Sequence, residues 1–177
     1  MSPADILAVR GRGLFSRMIL RATGGEISHV GMVISADPAL ILEALVRVQT
    51  RPLKDAMKDA EDVYLLKPTN ISAIECREIV KEACRWSARS YGYGKIVLHG
   101  LDALFGTEWF SRHLAVSNRP ICSWLVAEAY RHAGLDFGES SGGVTPGDIF
   151  AFAKANPDKY RIIRLSTMLS TSSQGVP

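Results

Sequence analysis

Two apolar segments separated by a short turn sequence constrain the fold of this chain most strongly. Residues 30–35 and 40–46 are rich in valine, isoleucine and leucine, and the turn residues Asp37 and Pro38 lie between them. Short apolar runs on either side of such a turn are typical of two antiparallel strands. The pattern therefore predicts a β-hairpin, and any fold of this chain has to bury it.

The length of the turn decides which side chains share a face of the hairpin. If the turn is centred on Asp37, His29 faces residue 45, and Glu43 lies diagonally across from His29 on the same face, within reach of its side chain. A turn of even length would place Glu43 on the opposite face, because the side chains of a strand alternate. We expect the first arrangement.

The remaining chain alternates between further strand and helix patterns. Strands are predicted at residues 5–9, 63–66 and 160–165. Helices are predicted at residues 14–21, 72–90 and 121–132, with a short one beginning at the sequence Thr145-Pro146-Gly147-Asp148. This order predicts an α+β domain with an antiparallel sheet packed against helices. We expect one domain over residues 1–165 and a flexible tail over 166–177, where serine and threonine are frequent.

Composition excludes several classes of protein. The net charge of +3 is too small for a dedicated nucleic-acid binder, so no nucleic acid is expected as a partner. No signal peptide or membrane-spanning segment is found, which predicts a cytoplasmic location by default, with export by another route left open. Three cysteines without a C-x-x-C pair indicate neither a disulfide framework nor a structural zinc site. No metal or organic cofactor is expected, because the cysteine chemistry considered below requires none. The oligomeric state is not indicated.

Cys122 is a candidate nucleophile because it lies at the first turn of a predicted helix. The positive end of the helix dipole and the unpaired backbone N–H groups there lower the pKa of a thiol. The alternative is a small buried apolar residue, the usual role of an unpaired cysteine. Cys76 and Cys84 lie inside the long helix, and we interpret both as structural.

His29 is the candidate base, since it lies at the start of an apolar strand, whereas His99, His113 and His132 fit solvated side chains. The alternative for His29 is a hydrogen-bonded core histidine. Glu43 is the only charged residue of segment 39–46. Burying a lone carboxylate is costly, so Glu43 needs a partner, unless it faces water at a strand edge.

These residues together resemble a known family. A strand histidine in Ser28-His29-Val30-Gly31, a strand glutamate in Leu42-Glu43-Ala44 and a helix-start cysteine in Cys122-Ser123-Trp124 are similar to the circularly permuted branch of the NlpC superfamily, the papain-like cysteine hydrolases of the YiiX/YebB type. The permutation accounts for the order His, Glu, Cys along the chain. The similarity extends to Asp5-Ile6-Leu7, Tyr91-Gly92-Tyr93 and Thr145-Pro146-Gly147-Asp148-Ile149.

The resemblance implies a permuted papain-like (NlpC-type) fold and a cysteine amidase or peptidase. Cys122 would be the nucleophile, His29 the base and Glu43 the residue that orients His29, while the backbone N–H of Cys122 would contribute to the oxyanion hole. The implied substrate is a small peptide or acyl amide, with cell-wall peptides as a plausible class. Substrate contacts are expected from four further residues: Ser28, Tyr91, Tyr93 and Trp124. For the three aromatic residues, the alternative is that they only pack in the core.

Other functions remain open at this stage. The same triad could serve an acyltransferase or a lipid hydrolase, and the fold could persist as a non-catalytic binding domain. The sequence Gly11-Arg12-Gly13-Leu14-Phe15-Ser16 approaches a dinucleotide-binding fingerprint, but serine replaces the third glycine. Four arginines could form a basic rim for an anionic substrate, although a solvated face is the simpler interpretation: Arg10, Arg12, Arg17 and Arg21.

Overall fold

The structure is a computed structural model that describes residues 1–45, 48–87, 122–138 and 143–165. The strands within these ranges are β1 (Ile6–Gly11), β2 (His29–Ala36), β3 (Ala39–Ala44), β4 (Val48–Pro52), β5 (Ala60–Pro68) and β6 (Tyr160–Arg164). The helices are α1 (Leu14–Thr23), α2 (Leu53–Ala56), α3 (Ala73–Arg85), α4 (Cys122–His132) and α5 (Pro146–Ala155). The described strands form one antiparallel sheet in the order β4-β3-β2-β1-β5-β6. The α+β prediction is therefore confirmed.

The central strand β1 is buried on both faces, which explains its run of consecutive apolar residues. Ile6 and Ala8 point into the larger apolar cluster, to which α3, α4 and α5 contribute. Leu7 and Val9 point into a smaller cluster on the other face, which α2 helps to cover. A strand that alternated apolar and polar residues would leave one of these clusters incomplete.

Two helix starts follow from capping residues that are visible in the sequence. Ser72 caps α3 by accepting a hydrogen bond from the backbone of Glu75, whose carboxylate accepts one from the Ser72 backbone. Thr145 and Asp148 form the same reciprocal pair at α5. Each pair satisfies backbone N–H groups that the first helical turn leaves without partners. Helix α3 ends at Arg85, earlier than predicted, and residues 88–90 of the predicted helix lie outside the described residues.

The hairpin of β2 and β3 pairs His29 and Glu43 on one face, as expected, but its turn is shorter than predicted and a β-bulge compensates for the difference. The turn consists of two residues, Asp37 and Pro38, because Ala36 pairs with Ala39. The prediction of a turn centred on Asp37 is therefore wrong. A β-bulge between Val33 and Ser35 inserts one extra residue into β2 and shifts the pairing back. As a result Gly31 lies directly opposite Glu43, which keeps Glu43 on the face of His29.

Two elements were missed by the sequence patterns. Strand β4 is short and carries three consecutive polar residues, and α2 is a single turn that follows it directly. Neither has an apolar run long enough to signal a buried element. The predicted tail, 166–177, lies outside the described residues. None of the described helices combines the length and the apolar character needed to span a membrane.

Candidate active site

His29 and Glu43 form a hydrogen bond across the hairpin. The Nε2 atom of His29 lies 2.9 Å from Oε2 of Glu43. Gly31, which has no side chain, is the residue directly opposite Glu43. A Cβ atom at position 31 would lie 2.7 Å from Cγ2 of Ile41 and 3.4 Å from Cβ of Glu43. A side chain at position 31 would therefore press on Ile41 and on the backbone oxygen of Leu42, the two residues that precede Glu43 in β3.

Glu43 is buried and has a second partner on the neighbouring strand. Its side chain is 2% exposed. Nη1 of Arg51, in β4, donates to Oε1 of Glu43 at 2.9 Å, and Nη2 of Arg51 donates to the backbone oxygen of Asp55 at 2.9 Å. Burial disfavours the carboxylate, but the hydrogen bond and charge of His29, together with Arg51, outweigh it and lower the pKa of Glu43. Both carboxylate oxygens are thus engaged.

Cys122 begins α4 and completes the cluster from the other side of the sheet. Its side chain belongs to the larger apolar cluster and lies close enough to the imidazole of His29 for the two groups to influence each other's charge. Burial opposes the thiolate, but the charge and hydrogen bond of His29 and the backbone N–H groups of Val30 and Ser123 lower the pKa of Cys122. A thiol at a helix N-terminus is also favoured as thiolate by the helix dipole.

The imidazole of His29 is stabilised in its charged form. Burial opposes the charge, but the Cys122 thiolate, followed by Glu43, raises the pKa of His29 to about 10. The lowered pKa of Cys122 and the raised pKa of His29 act in the same direction, because both favour a proton on the imidazole over a proton on the sulfur.

A cleft of about 320 Å³ opens beside these three side chains. His29 is the first residue of β2, so its ring stands at the end of the sheet, where the start of α4 also arrives. Helix α1 contributes Phe15 and Ile19 to the cleft wall, and α2 contributes Asp55. Cys122 is one of the residues that line this cleft, although only 5% of it is exposed.

Of the two predicted substrate-contact residues that the structure describes, Ser28 lines the cleft and Trp124 does not. Ser28 lines the cleft, but its hydroxyl donates to the backbone oxygen of Val9 at 3.2 Å and accepts from the N–H of Gly11 at 3.0 Å. Trp124 packs edge-on against Trp86, the residue that follows α3, with ring centroids 4.7 Å apart, and is not part of the cleft wall. The placement of Trp124 corresponds to the packing alternative.

Two further predicted contacts, Tyr91 and Tyr93, lie outside the described residues. Arg51, by contrast, lines the cleft and was missed, because β4 was not predicted. The signal available was indirect. A buried glutamate requires a partner. The first two basic residues after Glu43 in the sequence are Arg47 and Arg51, so Arg51 was one of two candidates.

Comparisons with known proteins show that this chain is similar to a solved structure in its fold. No family model matches the chain, and no curated protein does. The chain is similar to the crystal structure of the metalloprotein YiiX from Escherichia coli O157:H7, DUF1105, with 22% sequence identity and a TM-score of 0.60. The match covers 78% of this chain and 69% of that one. The chain has a YiiX-like fold. The YiiX-like fold agrees with the α+β architecture and with the sequence resemblance at that coarser level.

Proposed function

We propose that this protein is a cysteine hydrolase, an amidase or peptidase, built on a YiiX-like fold with the permuted papain-like (NlpC-type) chain order. The observation that carries the proposal is the continuous contact from Cys122 through His29 to Glu43 at the wall of an open cleft. A thiol, an imidazole and an orienting carboxylate in this arrangement are the groups that acyl transfer through a covalent intermediate requires.

The proposed reaction proceeds in two steps. The Cys122 thiolate attacks the carbonyl carbon of the amide, and the C–N bond breaks while the His29 imidazolium donates its proton to the leaving amine. Water then attacks the thioester, His29 accepts a proton from it, and the carboxylic acid leaves as the thiolate re-forms. The backbone N–H of Cys122 is proposed to stabilise the oxyanion, a contribution of roughly 3 to 4 kcal/mol per donor in comparable sites.

The cleft favours a small peptide or acyl amide as substrate. Its volume of about 320 Å³ is at the lower end of the range for small-molecule sites. Three charged residues, Arg51, Asp55 and Asp59, are among those that line it. Charged groups suit the ammonium or carboxylate of a peptide better than the chain of a lipid. Acyl transfer to another acceptor, or lipid hydrolysis, by the same triad is the second candidate, and the apolar side chains of Phe15 and Ile19 at the cleft favour it.

The similar YiiX structure is described as that of a metalloprotein. In the described part of this chain no group of three or more His, Cys, Asp or Glu side chains is placed to hold a metal ion. Glu43 uses one oxygen for His29 and the other for Arg51, a cation that repels a second cation nearby. The donors beside Cys122 therefore do not fit a metal ion, and the proposed steps use none.

The pH dependence of Cys122 alkylation tests the proposal. We expect iodoacetamide to modify Cys122 with an apparent pKa well below the roughly 8.5 of an ordinary thiol. Reactivity should rise through the lowered pKa of Cys122 and then stay level until His29 deprotonates near pH 10. The variant His29→Ala should lose the reactivity at low pH. Mass spectrometry of the modified peptides measures each cysteine separately.

The chain provides an internal control for this experiment. Cys84 is exposed in α3, and partial burial of its thiol raises its pKa. Cys84 should therefore react in alkaline solution alone, in both the wild type and His29→Ala. If Cys122 titrates like Cys84, or if its profile ignores the His29 substitution, the proposed function is wrong.

A further inference from the structure

Arg51 joins three elements at the edge of the candidate site. It extends from β4, and its guanidinium holds Oε1 of Glu43 in β3 and the backbone oxygen of Asp55 in α2, both at 2.9 Å. The Arg51 side chain is 33% exposed, whereas that of Glu43 is 2% exposed. Arg51 is thus a partly exposed residue whose guanidinium contacts the buried Glu43 carboxylate.

The two-point contact restricts how Glu43 can turn. A carboxylate can present either oxygen, or rotate away, at a small energetic cost, because the terminal torsion of glutamate is broad. With Oε1 held by Arg51, Oε2 is the oxygen that remains for His29. The second N–H of the guanidinium is tied to Asp55, so Arg51 cannot follow Glu43 if Glu43 moves.

We propose that Arg51 is a positioning residue, which holds the Glu43 carboxylate in the orientation that directs His29 toward Cys122. This inference rests on the proposed function. Arg51 acts through Glu43, since no described contact joins Arg51 to Cys122 or to His29. Its removal should weaken the site even though the three members of the triad stay in place.

The charged groups around Glu43 determine what the loss of Arg51 does. His29 faces Glu43 from β2, Arg51 from β4 and the Cys122 thiolate lies beyond His29 on α4, while Asp55 and Asp59 line the same cleft. Without Arg51, the buried Glu43 carboxylate keeps His29 as its one cationic partner among the described residues. Removal of an opposite charge at this distance raises a carboxyl pKa by about 1 unit or more.

The first test measures the Glu43 carboxyl directly. In protein with ¹³C-labelled glutamate, Arg51→Gln should shift the Glu43 titration upward by about 1 pH unit or more, with Glu43→Gln identifying the signal. Arg51→Lys keeps the positive charge but lacks the planar guanidinium that contacts Oε1 of Glu43 and the backbone oxygen of Asp55 together. It should therefore shift the Glu43 titration by an intermediate amount. Arg131→Gln, which removes an exposed arginine paired with Glu128 on α4, is the matched control and should leave Glu43 unchanged.

The second test measures the consequence at Cys122. Arg51→Gln should move the low-pH limb of Cys122 alkylation to higher pH, because a neutral Glu43 no longer stabilises the imidazolium. In a Glu43→Gln background the same substitution should have no further effect. A full additional effect there would mean that Arg51 acts on Cys122 or on the reagent by itself, and would overturn the inference.

The outcomes separate this inference from the proposed function. An unreactive Cys122 in the wild type contradicts the proposed function, while the Glu43 titration still reports on Arg51. A reactive, His29-dependent Cys122 with an unmoved Glu43 titration in Arg51→Gln overturns the inference alone. Thermal unfolding shows whether each variant is folded. If Arg51→Gln does not fold, Arg51→Lys replaces it in both tests. The inference is then overturned if Arg51→Lys leaves both the Glu43 titration and the pH profile of Cys122 alkylation unchanged.

Discussion

Two buried serines flank the candidate catalytic residues and use their hydroxyl groups in different ways. Ser28 precedes His29, and its hydroxyl bridges the backbone of Val9 and Gly11. Ser123 follows Cys122 and is fully buried, but among the described residues its hydroxyl has no hydrogen-bond partner. A hydroxyl that has lost water without gaining a partner destabilises the folded state, whereas a satisfied one contributes to stability.

The serines therefore predict opposite effects of the same substitution. Ser28→Ala should lower the free energy of unfolding by about 1 to 3 kcal/mol, because the Gly11 N–H loses its acceptor. Ser123→Ala should leave that free energy unchanged or raise it. Urea denaturation of the two variants beside the wild type measures both. Equal destabilisation by the two substitutions would contradict the different roles assigned to the hydroxyls.

At the scale of the element, the hairpin sets the geometry of the site. The two-residue turn alone would have placed Glu43 on the wrong face, and the bulge between Val33 and Ser35 reverses that shift. Gly31, opposite Glu43, has no room for a side chain beside Ile41. The contact between the two candidate residues thus depends on one extra residue in β2, and their strands pair closely where a glycine is present.

Gly31→Ala should disturb both the stability of the hairpin and the site. The added methyl group meets Ile41 and Glu43, so we expect a loss of about 1 to 3 kcal/mol in the free energy of unfolding, as overpacking typically causes. Alkylation of Cys122 at low pH should weaken as well, because Glu43 is displaced from His29. Denaturation and the alkylation profile measure the two effects.

Gly13→Ala is the matched control for the glycine substitution. A Cβ atom at Gly13 would meet no other atom within 4 Å, and its φ of −65° is accessible to alanine. At this N-cap position the change should cost no more than a few tenths of a kcal/mol to about 1 kcal/mol. If Gly13→Ala weakened Cys122 alkylation as much as Gly31→Ala, the special role of Gly31 would be wrong.

At the scale of the whole molecule, the site depends on α4 being held across the sheet from the hairpin. The phenol of Tyr130, on α4, donates to the backbone oxygen of Ala4 at 2.6 Å. Ala4 itself donates to the backbone oxygen of Val33 in β2. Tyr130 therefore connects the helix that carries Cys122 to the strand that carries His29, through the N-terminal segment.

Tyr130→Phe should lower stability without changing the chemistry of the site. The buried oxygen of Ala4 loses its donor, which should cost about 1 to 3 kcal/mol. The ring is retained and keeps its packing against Phe137. Position 130 lies about 12 Å along the helix from Cys122. The alkylation profile of Cys122 should thus stay the same, and a shifted profile would mean that this hydrogen bond also sets the position of the thiol.

Part of the candidate site could be read from local patterns. The apolar runs predict β2 and β3, and the capping residues predict the starts of α3 and α5. The burial of Glu43 required a partner, which the pairing with His29 supplies. Arg51 escaped prediction because its strand is short and polar, and the bulge escaped because nothing local distinguishes the extra residue in β2.

The sequence by itself determined most of the described strands and helices, though not β4 or α2, and the need of Glu43 for a partner, since alternation, capping and the cost of burying a charge act over a few residues. The tertiary structure alone decided that Cys122 meets His29, that Arg51 holds Glu43, and that Trp124 packs on Trp86 away from the cleft wall. The physical reason is that each of these contacts joins separate elements of the chain. Their geometry follows from how the sheet and helices pack together, which no local pattern encodes.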